Sequence, residues 1–216
     1  MIPLRALLYR RNTPVMTLIL IGINVICFLY EMSFPMDARN LFIEHFALIP
    51  DRLQLLTFVT SMFLHGGWLH LIGNMWFLWI FGSHIEDAMG APKFLAFYLI
   101  SGIASAAVQF TVNFGSPIPV IGASGAIAGV MGAFLILYPR VRVVTLIFII
   151  IFVTTIELPA AIMLVYWFAI QLLSGLSSMS SVTQAQGVAW FAHVGGFLAG
   201  VLLIRVFRDN RPRYLY

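Results

Sequence analysis

Four side chains in this sequence could cooperate in acyl transfer: Ser124, His193, His70 and Asn74. A serine hydroxyl is a weak nucleophile until a neighbouring imidazole takes its proton, and attack on a carbonyl also needs donors aimed at the developing oxyanion. Ser124 would be the nucleophile, His193 the general base, and His70 with Asn74 the donors. His70 and Asn74 are four residues apart and share one helix face. Taken singly, each residue has a quieter explanation. A serine in an apolar helix more often hydrogen-bonds a neighbouring helix, and Asn74 could do the same; His70 could sit at an interface. Joint occurrence inside apolar sequence favours chemistry, because ionisable and strongly hydrogen-bonding groups are costly there. His45, His65 and His84 are read as loop or interfacial residues, with His65 near enough to support the site. Glu157 reads as a snorkelling or capping residue.

The surroundings of these residues are lipid-like. The chain has 216 residues, 61% hydrophobic and 9% charged, against about half and a quarter in soluble domains. Its mean hydropathy is +0.98, and no polar half offsets it, so the bilayer is the natural solvent. The net charge of +4 comes from basic residues beside apolar runs, as juxtamembrane anchors do. Nucleic acid is not an expected partner. The single cysteine, Cys27, can form neither an internal disulfide nor a thiolate metal site, and no metal or organic cofactor is expected. One domain is expected over residues 15 to 207, between a cytoplasmic segment, 1 to 14, and a cytoplasmic tail, 208 to 216.

A crossing helix needs about 20 apolar residues. Stretches at 15 to 31, 67 to 85, 94 to 112, 122 to 138 and 188 to 207 qualify, and a sixth lies within the long apolar run 143 to 173. One crossing there, placed at 157 to 174 after the Glu157-Leu158-Pro159 break, puts ten of the twelve basic residues on the cytoplasmic side, with Arg39 and Arg52 outside. Residues 143 to 156 are then expected to lie along the cytoplasmic interface. The second, fourth and sixth spans run from outside to inside, so His70 and Asn74, Ser124, and His193 all fall near the outer third of the bilayer. Gly125 with Gly129 and Gly196 with Gly200 form small-xxx-small pairs that let two spans approach closely, carrying His193 toward Ser124. The outer loop 32 to 66 is expected to dip into the interface, and 174 to 187, rich in Ser, Gly and Gln, to form a mobile cover.

Three motifs in order, His65-Gly66-Gly67-Trp68-Leu69-His70 leading to Asn74, Gly122-Ala123-Ser124-Gly125, and Ala192-His193 with Gly196 and Gly200, resemble the rhomboid family of intramembrane serine proteases. The resemblance runs over residues 15 to 207. It implies an all-α membrane protein, a compact bundle of six transmembrane helices, and a Ser124/His193 dyad without an acidic third member. It also implies an oxyanion pocket from His70, Asn74 and backbone N–H near Ser124. Substrates would be single-span membrane proteins, cut near the outer face where a small-residue site unwinds easily. The expected location is the bacterial cytoplasmic membrane, with both termini cytoplasmic. Ala128 stands where several bacterial members have a tyrosine against the histidine, and Leu53-Gln54 where many have Trp-Arg. The competing readings are an inactive relative that binds membrane clients and a small transporter; the latter lacks paired intramembrane acids and bases. Neither a His-Glu-x-x-His zinc motif nor an intramembrane aspartate pair is present.

Overall fold

The computed structural model describes residues 1–149, 152–180 and 188–208. Helix α1, Val15–Met32, has no side-chain cap of its own behind Pro14. Its first-turn amides have no intrahelical acceptor. Glu86 accepts from Met16 N, Thr17 N and the Thr17 hydroxyl at 2.7–2.8 Å, and Asp87 accepts from Arg11 N and Asn12 N. Both carboxylates belong to helix α5, Ser83–Met89.

The outer loop holds helix α2, Met36–Phe46, and the short α3, Thr57–Thr60. Helix α4, Trp68–Phe77, continues through a π-helical turn, Leu78–Gly82, into α5. Helix α6 spans Ala91–Val112 and helix α7 Ser124–Leu137, with every residue of α7 from Gly125 to Phe134 buried. Helix α8, Ala160–Ser180, and helix α9, Trp190–Phe207, follow among the described residues. Phe81, Phe94, Phe97, Tyr98 and Phe134 are fully buried in the core. The described helices that meet the length and composition of a membrane crossing are α1, α6, α8 and α9. The other two expected spans correspond to the interrupted run α4 to α5 and to the shorter α7.

The fold is not purely helical. Strands β1, Ile2–Ala6, β2, Arg142–Ile149, and β3, Phe152–Pro159, form an antiparallel sheet in the order β1-β2-β3. The expected interfacial connection 143 to 156 is therefore mostly hairpin, and the N-terminal segment 1 to 14 supplies its third strand. The physical reason is composition: the run is dense in Val, Ile, Thr and Phe, whose side chains suit a pleated surface. Glu157, expected to snorkel or cap, lies in β3. It pairs with Arg142 at 3.2 Å across the hairpin. Pro159 ends β3, and α8 starts one residue later. Helix α8 also runs through 174–180, so the first half of the expected cover is helical; residues 181–187 lie outside the described residues, as does the tail from 209.

Candidate active site

Ser124 is the first residue of α7. The amides of a helix's first turn lack intrahelical acceptors and favour negative charge, so an oxyanion formed at Ser124 would face unpaired N–H groups. Gly122 enters the helix with φ +123°, and a Cβ there would lie 2.6 Å from His70 Nε2 and 3.6 Å from Asn74 Nδ2. Glycine is thus needed for both the backbone conformation and the close approach. His70 and Asn74, projecting from one face of α4, stand beside the turn that presents the serine.

His193, in the first turn of α9, places Nε2 2.8 Å from Ser124 Oγ. The approach is made by glycine. A Cβ on Gly196 would fall 2.0 Å from Gly125 O, and one on Gly200 1.9 Å from Gly129 O, so α7 and α9 touch backbone to backbone. Helix α6 supports both with a polar stripe at four-residue spacing, Ser101, Ser105 and Gln109. Ser105 Oγ donates to Ala192 O at 2.7 Å, and Gln109 Oε1 accepts from Ala192 N at 3.0 Å. The residue preceding His193 is thereby fixed at both backbone groups.

Several contributors are not evident in the sequence. Gln171 of α8 lies with Oε1 2.7 Å from His193 Nδ1. Where a tyrosine at 128 would have packed, Ala128 is buried, and two tryptophans flank the imidazole instead: Trp167 at 5.8 Å between centroids and Trp190 edge-on at 6.4 Å. Behind His70, the Asn74 amide donates to His65 Nε2 at 3.0 Å. His65 N donates to Glu31 Oε2, and Glu31 pairs with Arg39 at 2.9 Å. Burial first, then the neighbouring His70, pushes the His65 imidazole down to about 4, so it is neutral near pH 7 and Nε2 can accept. The α6 stripe was the one legible signal, since polar residues at i, i+4 and i+8 mark a single helix face.

Other histidines lie apart. His45 stays in α2 with its ring edge on Phe46. His84, expected at an interface, is buried in α5 with its ring edge toward Phe134. Among the described residues, no three His, Cys, Asp or Glu side chains converge as a metal set. A cavity of about 930 Å³ opens beside α4, α6, α8 and α9; His70, Gln109, Ser174 and Trp190 are among its walls, and residues 115–121 line it too.

A family model described as the rhomboid domain matches residues 52–210. The chain is 27% identical over 190 residues to the mitochondrial Rhomboid protein 1 of Saccharomyces cerevisiae, covering 85% of this chain and 50% of that one. It is 32% identical over 146 residues to the human mitochondrial presenilin-associated rhomboid-like protein, covering 65% of this chain and 35% of that one. Over 77 residues, 36% of this chain and 15% of the other, it is 42% identical to Rhomboid protease GluP of Bacillus subtilis. The chain thus spans half of the yeast relative's length and about a third of the human one's. Because these relatives include mitochondrial proteins, they lend no support to the bacterial cytoplasmic membrane expected from sequence. An integral multi-pass placement stands. With its matched region covering most of the chain and its helices long and apolar enough for a bilayer, this protein belongs to the rhomboid family.

Proposed function

We propose that this chain is a serine endopeptidase that cuts transmembrane segments of single-span membrane proteins near one face of the bilayer. The observation that carries the reading is the 2.8 Å contact between His193 Nε2 and Ser124 Oγ at the head of a buried helix. Ser124 Oγ attacks the scissile carbonyl as His193 Nε2 takes its proton. The developing oxyanion lies at the first-turn amides of α7, with His70 and Asn74 as further donors. His193 then protonates the leaving amine, and water, activated by the same imidazole, releases the acyl group.

Depth follows from helix length. At about 1.5 Å per residue, the 14 residues of α7 span about 21 Å, less than a hydrocarbon core of about 30 Å. With its C-terminal end near one surface, α7 holds Ser124 below the other. The cavity bordered by His70 gives water a route to that depth. With six crossings, counting the α4 to α5 run and α7, both termini share one side of the membrane, and the basic residues beside the spans support the cytoplasm as that side. The test is incubation of purified protein in liposomes with a fluorescent single-span substrate. Wild type should cleave it and Ser124→Ala should not; equal turnover would overturn the reading.

A further inference from the structure

Nδ1 of His193 is the nitrogen that faces away from the serine. In the neutral ring one nitrogen carries the proton and the other a lone pair, and the partner of one decides the state of the other. If Nε2 carried the proton, it would point N–H at Ser124 Oγ, and the hydroxyl would have no base. The arrangement works only when Nδ1 bears the proton and has an acceptor. That acceptor position is filled from α8. Gln171 is 6% exposed, and its Oε1 lies 2.7 Å from Nδ1. One turn earlier on the same face, Trp167 lies against the imidazole.

We propose that Gln171 is a positioning residue for the Ser124/His193 pair, accepting the Nδ1–H of His193 and so holding the Nε2 lone pair toward the serine. The inference rests on the proposed protease reading. Helix α8 then supplies an acceptor through Gln171 and a ring face through Trp167, while α7 supplies the serine. A neutral amide suits this location. A carboxylate doing the same work would be a charge at membrane depth, with the desolvation cost that carries; an amide oxygen accepts the same hydrogen bond with no net charge. The alternative role for a glutamine between two helices is simple adhesion, and the two roles give different measurements.

The experiment uses the full chain in detergent, with Gln171→Met, which keeps length without an acceptor, and Gln171→Glu, which keeps an acceptor oxygen. A fluorophosphonate probe reads the rate of Ser124 labelling against pH, melting temperature reads folding, and ¹⁵N spectra of histidine-labelled protein, assigned by His193→Ala, read the protonated nitrogen. Gln171→Met should label about 10–100-fold more slowly, the scale of loss when a group orienting a metal-bound imidazole is removed, at a melting temperature near wild type. Gln171→Glu should recover most of the rate. Its acid limb should move to higher pH, because an added carboxylate stabilises the imidazolium. The groups around the ring are Ser124 from α7, Gln171 and Trp167 from α8, Trp190 from α9, Ser105 and Gln109 of α6 at Ala192, and His70 of α4, the titratable imidazole among them. The wild-type spectrum should show His193 protonated at Nδ1. Labelling of Gln171→Met at the wild-type rate, failure of Gln171→Glu to recover it, or a wild-type proton on Nε2 would each overturn the proposal. If wild-type Ser124 took no label, the protease reading would fail, and the nitrogen spectrum would still decide whether Gln171 accepts from Nδ1.

Discussion

His193 Nε2 stands 2.8 Å from Ser124 Oγ although 69 positions separate them in sequence. Two helices have to be held at backbone contact for these atoms to meet, so the proposed chemistry would depend on glycines as much as on the serine and the imidazole.

Side chains at the site should separate by role. Ser124→Ala should eliminate both probe labelling and substrate turnover, and His193→Ala should nearly do so, since an unassisted hydroxyl hardly ionises. Asn74→Ala should keep some labelling while turnover falls on the order of 10²-fold, less if His70 and the α7 amides compensate. His45→Ala should match wild type. Labelling of His193→Ala at the wild-type rate would mean another base serves Ser124.

Helix contact gives a second expectation. Gly196→Ala would put a methyl 2.0 Å from Gly125 O, so α7 and α9 must part. Overpacking of this kind costs about 1–3 kcal/mol, and the serine–imidazole distance should lengthen with it. Gly73→Ala in α4 meets nothing within 4 Å and should leave stability equal or slightly raised. Melting temperature and labelling rate check both. An unchanged Gly196→Ala would show that backbone contact does not limit the site.

The two ion pairs of the outer loop should differ in weight. Glu31 is fully buried, bonded to Arg39 and to His65 N, so Glu31→Ala leaves a half-buried guanidinium and a buried amide unpaired, at a cost of about 3 kcal/mol. Glu44→Ala breaks an exposed pair with Arg52 and should cost about 1 kcal/mol or less. Denaturation in detergent should show the gap; equal losses would mean that burial of Glu31 carries no penalty.

Topology is open to a direct check. Reporter fusions at the N- and C-termini should both read cytoplasmic. A C-terminal reporter outside would require another crossing between Ser124 and His193, which the short β2–β3 hairpin does not supply.

The serine, the histidines and the glycines are legible in the sequence because a polar or very small residue is conspicuous in apolar surroundings. Gln171 escapes notice because a lone glutamine in a span normally reads as helix adhesion, and its partner is on another helix. The hairpin is hidden for a different reason. An unbroken apolar run has no period, so residues 143 to 158 fit a buried helix as well as a strand, and only their β-branched content tilts the choice. Ala128 shows a third limit: the aromatic support has moved to Trp167 and Trp190, a relocation visible only once helices are placed side by side.

The carboxylates of Glu86 and Asp87 also bear on how the protein is made. Helix α1 leaves the ribosome about seventy residues before the groups that cap it, and until then its leading amides have only water or lipid headgroups as partners. Its seat becomes final when α5 arrives. Helix α1 is thus seated only after α5 has followed it, ahead of α6 to α9, and a fault in α5 should appear as a misplaced α1 as well as a local defect.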